Sequence, residues 1–309
     1  MSSSQDLLQT YSLSPAMARV LGIPLQPTGQ PLPENMAGAV EEQVIAKLEQ
    51  NGLPEGVTLE QFVDEATAMA LPRAAITAYQ TSSQKALYDH DFRVQLGLGV
   101  CHMLSGQSEA AKAFFQQAKR ILPDEPAPYT NLLQLLLQQG HLAQARQLIE
   151  EALAQVPNHM PLWECIRQVL QETSEGNLAE AIQRLAERHD SWLGQMLAAE
   201  LKDLEPLTRL KICQEFYDQG ERDPQFLMEY TARLGMVADY EAIPRVIAAA
   251  KSGQGQLPWQ LLAHELEAYL AMEDTAAALT ALDRMRGRQD LPDAAHQYLN
   301  EVASELTHH

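Results

Sequence analysis

Residues 94–123 read VQLGLGVCHMLSGQSEAAKAFFQQAKRILP, and residues 129–157 read YTNLLQLLLQQGHLAQARQLIEEALAQVP. Each stretch contains two segments with helical periodicity, separated by a short turn, and each ends on a proline. The two prolines, Pro123 and Pro157, are 34 residues apart. A pair of helices, a turn and a helix-ending proline that recur at a fixed interval indicate a helical-hairpin repeat.

Small residues recur at the same places in both stretches. We number the repeats 92–125 and 126–159 so that each proline takes position 32. Positions 8, 20, 24 and 27 are then Gly99, Ala111, Phe115 and Ala118 in the first repeat, and Leu133, Ala145, Ile149 and Ala152 in the second. The pattern resembles the tetratricopeptide repeat. It predicts a close helix crossing at Gly99 and Ala111, with Phe115 and Ile149 filling the space toward the next repeat.

The same organisation continues along the chain in weaker form. A helical pair precedes the first repeat at 58–90, a third repeat covers 160–190, and divergent repeats cover 191–306. Pro224, Pro258 and Pro292 are again 34 residues apart, each at the start of a predicted first helix. Aromatic residues make up only 6% of the chain, and no alternating strand pattern is present.

The predicted fold is therefore all-α. We expect a right-handed helical-hairpin solenoid of tetratricopeptide-like repeats over residues 37–309, with about six hairpins and a capping helix. Residues 1–36 are rich in Ser, Gln and Pro, and are predicted to be a mobile N-terminal tail.

Charge and cysteine content exclude several classes of function. The net charge of −19 argues against binding to nucleic acid or to an anionic membrane, because both attract basic surfaces. The three cysteines lie far apart without a CxxC pair, which favours the reducing cytoplasm over a secreted protein. The N-terminus lacks the pattern of a secretory signal, and no apolar run approaches the roughly 18 residues of a membrane helix.

Four short motifs suggest chemistry but have the wrong spacing. Gly97 and Gly99 are predicted to lie within a helix, where their amides are already hydrogen-bonded and cannot cradle a phosphate. Cys101 and His102 are about 100° apart around the helix, so they cannot ligate one ion. The sequence HELEA at His264 lacks the second histidine of a zinc protease helix, and the adjacent residues of HDS (189–191) cannot form a catalytic triad. We therefore expect no enzyme activity, no cofactor and no metal.

The predicted working surface is the face that the first helices present to the inside of the curve. Positions 2, 5, 9 and 12 form this stripe. They are Arg93, Leu96, Val100 and Met103 in the first repeat, Ala127, Thr130, Gln134 and Leu137 in the second, and Pro161, Glu164, Gln168 and Gln171 in the third; Asn131 lies beside them at position 6.

The stripe changes from apolar to polar along the repeats. The apolar side chains at 96, 100, 103 and 137 are predicted to anchor an extended partner segment, with Thr130 and Gln134 supplying hydrogen bonds. An alternative occupant is the protein's own proline-rich segment IPLQPTGQPLP (23–33).

The segments DHDFRVQLGLGVCHMLSGQSEAAKAF (89–114) and LLQQGHLAQA (136–145) resemble the core of class II type III secretion chaperones over about residues 58–155. The resemblance implies an acidic cytoplasmic chaperone that holds translocator proteins by proline-bearing apolar segments and can form a homodimer through its N-terminal helices. Tetratricopeptide clamps for heat-shock chaperone C-termini need Lys at position 5 and Asn at position 9, where this chain has Leu96 and Val100.

Three functional readings remain open at this point. The first is an adaptor or scaffold for a protein or peptide partner that is basic or carries proline-bearing apolar segments. The second is the secretion chaperone, and the third is an enzyme regulated by its repeats.

Overall fold

The computed structural model describes residues 13–24, 32–83, 85–173, 176–250 and 257–307, and every regular element in these ranges is a helix. The chain divides into two compact units, Met1–Thr173 and Ser174–His309. The first unit contains α1 (Pro15–Leu21), α2 (Glu34–Asn51), α3 (Leu59–Ala68), α4 (Pro72–Thr81), a 3-10 turn (Lys85–Leu87), α5 (Phe92–Leu104), α6 (Ser108–Ile121), α7 (Pro126–Gln138), α8 (Leu142–Gln155) and α9 (Met160–Thr173). The second contains α10 (Leu178–Arg188), α11 (Trp192–Leu201), α12 (Pro206–Asp218), α13 (Pro224–Met236), α14 (Ala242–Ala250), α15 (Trp259–Ala271), α16 (Thr275–Arg286) and α17 (Asp293–Thr307).

Consecutive helices pack as hairpins that stack on one another, which confirms the predicted fold class. In the first unit α3, α5, α7 and α9 lie side by side as first helices, and α4, α6 and α8 each contact the helices before and after them. In the second unit α13 and α15 are neighbouring first helices in the same way, with α14 in contact with both. The prolines at 224, 258 and 292 begin or immediately precede α13, α15 and α17, as predicted.

Contacts between neighbouring repeats keep the period seen in the sequence. Thr67 Oγ1 and Cys101 Sγ, 34 residues apart, are separated by 3.3 Å between α3 and α5. Thr231 Oγ1 and His264 Nδ1, 33 residues apart, are separated by 2.7 Å between α13 and α15. Equivalent positions of successive first helices therefore touch, so the repeat length sets the register of stacking.

Two helical glycines mark the closest approaches in the first unit. A Cβ at Gly99 would lie 2.5 Å from the Phe115 ring of α6, and a Cβ at Gly97 would lie 2.6 Å from Cγ1 of Val63 on α3. Position 8 is thus small for the predicted reason, which is the close crossing within the hairpin. The side chain over Gly99 is Phe115, however, so Phe115 packs inside its own hairpin.

The N-terminal residues differ from the predicted mobile tail. Residues Pro15–Leu21 form α1, and Ala16, Met17 and Val20 are buried against the first unit's core. Ser14 caps the helix, and Glu65 Oε2 of α3 accepts a hydrogen bond from the Ala16 amide at 2.7 Å. The tail prediction is therefore wrong for this helix, while residues 1–12 and 25–31 lie outside the described ranges.

A second carboxylate fastens α2 to α4. Glu41 is buried, with its side chain 8% exposed, and accepts hydrogen bonds from the Arg73 amide at 2.7 Å and the Ala74 amide at 3.3 Å. These amides belong to the first turn of α4, where backbone donors have no partner within the helix. The helices before residue 52 are thus joined to the helical pair α3 and α4 by specific polar contacts as well as by burial.

The turn from first to second helix has one recurring form. The second residue after the first helix has a positive φ: Ala70, Gly106, Gly140, Asp203, Ala238 and Glu273. The residue that follows donates its amide to a carbonyl five residues earlier, as from Gln107 to His102 and from His141 to Leu136, both at 2.8 Å. This is the Schellman ending of a helix, which reverses the chain in the fewest residues.

The predicted third repeat, 160–190, is divided between the two units. Its first helix, α9, ends the first unit at Thr173, and its second helix, α10, packs against α11 in the second. In the described part of the chain no helix is long and apolar enough to cross a bilayer.

Candidate functional site

The predicted stripe lies on faces of α5, α7 and α9 that remain accessible in the first unit. Not one of its eleven central residues is fully buried: Arg93, Gln134 and Gln168 are exposed, and Leu96, Val100, Met103, Ala127, Thr130, Asn131, Leu137 and Glu164 are partly buried. On the same α5 helix, Val94, Leu98 and Cys101 are completely buried. Each first helix therefore has one side in the core and another available for contact.

The apolar part of this face is centred on α5. Leu96, Val100 and Met103 follow one another at intervals of four and three residues, so they form a continuous strip along one side of the helix. Leu104, at the end of the same helix, is 57% exposed. Leu137 is partly buried on the adjacent helix α7. The strip supplies the type of surface that could bury apolar side chains of an extended segment.

The polar part, on α7 and α9, is already partly engaged within the protein. The Thr130 hydroxyl donates to the Pro126 carbonyl at 3.1 Å, and Asn131 Nδ2 donates to the Ala127 carbonyl at 2.9 Å. Thr130 can therefore accept a hydrogen bond from a partner more readily than it can donate one. Glu164 is paired with Arg167 at 2.8 Å on the same helix.

Acidic groups surround the beginning of α5. Arg93 Nη1 lies 3.1 Å from Glu60 Oε1 of α3, and Asp91 caps α5 by accepting from the Val94 amide at 3.0 Å. Burial raises the pKa of Asp64, and the nearby Arg93 opposes that rise. One arginine is thus set among several carboxylates, which leaves this end of the face acidic.

Cys101 and His102 have structural roles on the opposite side of α5. His102 Nδ1 lies 2.6 Å from Gln107 Oε1, and the imidazole stacks on Phe114 with 5.0 Å between ring centroids. Burial raises the pKa of the Cys101 thiol and lowers the pKa of His102. The three cysteines are all free and buried. Among the described residues, no group of three His, Cys, Asp or Glu side chains could hold a metal ion.

The second unit contains a cavity that the sequence did not predict. It has a volume of about 430 Å³ and lies between α13 and α15, with Tyr240 and Ile243 at one side. The helix faces that line it carry small residues, Ala232 and Gly235 on α13 and Ala268 on α15, together with the polar residues Thr231, His264 and Glu267. The signal in the sequence was the 33-residue interval between Thr231 and His264, which places two polar residues within one position of equivalence in neighbouring repeats.

Residues 62–126 match the family model described as Tetratricopeptide repeat. The match covers the segment from α3 to the start of α7, which includes the first of the repeats identified in the sequence. No curated protein sequence matches the chain at a significant level.

Solved structures with a similar arrangement include a tetratricopeptide repeat protein from Parabacteroides merdae ATCC 43184, at 13% identity and a TM-score of 0.35. That similarity covers 81% of this chain and 99% of the other. A second is the APC/C hetero-tetramer Cut9–Hcn1, at 16% identity and a TM-score of 0.30, over 81% of this chain and 42% of the other. Both scores are too low to carry an argument about function.

Proposed function

We propose that the protein is a non-catalytic interaction module that binds an extended segment of a partner protein on the face formed by α5, α7 and α9. The observation that carries the proposal is the half-buried strip of Leu96, Val100 and Met103, beside completely buried residues of the same helix. Stacked tetratricopeptide hairpins supply such a face along successive first helices, and residues 62–126 match that family.

The strip can offset the cost of ordering a peptide. Fixing the backbone of a flexible segment costs about 1–2 kcal/mol per residue, whereas full burial of a large aliphatic side chain contributes about 1.5–3 kcal/mol. Three or four apolar anchors spread over two adjacent helices therefore suffice for a short segment. The acidic surroundings of Arg93 favour a partner with a basic residue next to its apolar ones.

A double substitution tests the binding face. Leu96→Glu/Met103→Glu puts two charges into the strip, and we expect the variant to fold but to lose at least tenfold in partner affinity, or about 1.4 kcal/mol. The matched control is Leu207→Glu/Leu279→Glu, which changes two exposed leucines of the second unit. Partners captured by the wild type are identified by mass spectrometry, and their affinities are measured after circular dichroism confirms that both variants are folded. Equal partner recovery by the first variant and the wild type would contradict this proposal.

Occupation of the face by the chain's own segment 23–33 is a competing possibility that a replacement resolves. A Gly/Ser linker of equal length in place of residues 25–31 removes the central part of this segment and leaves α1, with Met17 and Val20 in the core, where it is. A gain of partner affinity would indicate that the segment competes for the face, whereas unchanged affinity would contradict its occupation.

A second candidate function is that of a cytoplasmic chaperone for type III secretion translocators. The phrases LGLGVC (96–101) and GHLAQA (140–145) favour it, and both lie in the first unit. The captured partner distinguishes the two functions. A chaperone retains a protease-sensitive, unfolded client, while an adaptor retains a folded complex. Turnover in a broad hydrolase screen would instead support the enzyme reading.

A further inference from the structure

We infer that the cavity between α13 and α15 is a binding site for an arginine side chain of a partner protein. The site lies in the second unit and does not depend on the face proposed on α5, α7 and α9. Two residues that line this space of about 430 Å³, His264 and Glu267, supply hydrogen-bond acceptors that have no partner among the described residues, and a guanidinium consists only of donors.

The hydrogen bonds of Thr231 fix the tautomer of His264. The Thr231 hydroxyl lies 2.8 Å from the Leu227 carbonyl and 3.1 Å from the Met228 carbonyl, and both of these groups can only accept. The hydroxyl proton is therefore directed to the backbone, as is usual for threonine within a helix. In the 2.7 Å contact with His264, Thr231 Oγ1 must then be the acceptor and Nδ1–H the donor.

The other ring nitrogen of His264 consequently has a free lone pair. No hydrogen bond to Nε2 is found among the described residues, and His264 lines the cavity. Burial lowers the pKa of His264, which keeps the ring neutral and Nε2 an acceptor at physiological pH. A neutral imidazole in this state recognises a donor and offers nothing to an anion.

Glu267 adds a negative charge at the rim. It lies one turn after His264 on α15, is exposed, and has no ion-pair partner in the described part of the chain. Tyr240 also lines the cavity. The guanidinium of arginine is planar and has several N–H donors, so it can bind the imidazole nitrogen and the carboxylate together. The ammonium of lysine is a compact charge and fits two separate acceptors less well.

Small residues leave the room for the ligand. Gly235 lies near the end of α13, and a Cβ built on it meets no atom within 4 Å, so its side of the helix opens into space. A large side chain at this position would project into the cavity without disturbing the core. Gly38 on α2 has the same open surroundings and belongs to the first unit, which makes it a matched control.

The experiment measures binding to the full chain by NMR, with the imidazole nitrogens of His264 as the reporter. The probes are the blocked tripeptide acetyl-Gly-Arg-Gly-amide and its neutral isostere with citrulline. We expect the arginine peptide to shift the His264 resonances with saturation in the millimolar range. The citrulline peptide should leave them unchanged. Equal binding of both peptides, or of neither, would overturn the inference.

Three variants locate the site. Gly235→Leu should abolish the shift, while Gly38→Leu should bind as the wild type does. Glu267→Gln, an exposed change that leaves the fold intact, should weaken the arginine peptide by about two- to fivefold. Binding unaffected by Gly235→Leu and by Glu267→Gln would place the peptide elsewhere and sink the proposal.

Agmatine, a free small guanidine, separates a partner's arginine from a small-molecule ligand. If agmatine saturates the site and the peptide does not bind, the cavity does not accept a protein side chain. A negative result for arginine binding would not affect the proposal that Leu96 and Met103 bind a partner, because those residues belong to the first unit and the cavity to the second.

Discussion

At the scale of single residues, the sequence predicted which positions had to be small but not which atoms would lie over them. Residue 99 has to be glycine, because a Cβ at this position would lie only 2.5 Å from carbon atoms of the Phe115 ring. A repeat pattern identifies such a position from its recurrence, yet the rotamer of the neighbouring aromatic ring depends on the packing of both helices. The prediction therefore gave the position of the close crossing and missed the partner.

Gly99→Ala should lower the free energy of unfolding by about 1–3 kcal/mol, because the new methyl group would overpack against a completely buried ring. The control is Gly38→Ala, at a helical position with open space around it, which should raise the free energy of unfolding by about 0.5–1 kcal/mol. Urea denaturation followed by circular dichroism measures both. A neutral result for Gly99→Ala would mean that α5 and α6 can move apart without cost.

Site prediction at this scale was limited by what a single sequence shows. The surface strip of α5 follows from helical periodicity, and none of its residues turned out to belong to the core. The acceptor at His264 could not be predicted, because it depends on the Thr231 hydroxyl being committed to its own helix. In the sequence His264 stands out only as part of HELEA, an incomplete zinc motif, and that motif does not indicate a hydrogen-bond acceptor.

At the scale of helices and turns, the common feature is the left-handed residue that follows six of the first helices in the described part of the chain. Glycine fills this place at residues 106 and 140, where φ is close to +70°, while Ala70, Asp203, Ala238 and Glu273 adopt φ between 51° and 59°. Residues other than glycine are disfavoured in this left-handed conformation, because their Cβ lies too close to the following carbonyl oxygen. The same turn is therefore formed throughout, with less strain in the two repeats that were easiest to recognise.

Exchanging these residues should move stability in opposite directions. Gly140→Ala should lower the free energy of unfolding by about 1 kcal/mol, and Ala238→Gly should raise it by a similar or smaller amount. Thermal or urea denaturation of the full chain provides the measurement. If both changes destabilised the protein, the loss of side-chain contacts would outweigh backbone strain at the turn.

Helix α1 shows why the N-terminus was mispredicted. Its seven residues are too few to give a periodic signal, and the flanking prolines and serines resemble a linker. Its stability comes from Met17 and Val20 in the core and from the Glu65 carboxylate at its N-terminus, and both contacts are distant in sequence. Contacts between residues this far apart in the sequence produce no pattern within the helix's own residues.

At the scale of the whole molecule, titration of buried groups should limit stability at both ends of the pH range. Burial lowers the pKa values of His102, His159 and His264. Burial also raises the pKa values of Tyr230 and Cys213 to about 12. The unfolded chain therefore takes up protons more readily than the folded one near neutral pH, and loses them more readily in alkali.

The melting temperature should consequently be highest near pH 7–8. It should fall as the pH drops below about 6.5, where unfolded histidines become protonated, and again as the pH rises above about 8.5–10, where unfolded thiols and phenols ionise. His102→Gln should reduce the loss between pH 7.5 and 5.5, while His90→Gln, at an exposed position, should keep the wild-type profile. If the melting temperatures of the wild type and both variants fell in parallel with pH, His102 would make no contribution to the loss of stability in acid.

The carboxylates that join the first helices have a consequence for synthesis on the ribosome. The Ala16 amide is satisfied by a side chain 49 residues later in the chain, and the first turn of α4 by one on α2, 32 residues earlier. Helix α1 therefore cannot complete its polar contacts until α3 has emerged from the ribosome. Helix α2, in contrast, has already been synthesised when α4 emerges, so Glu41 can accept from the α4 amides at once. Helix α1, although it is synthesised before α2, is thus secured only after α3 has followed it.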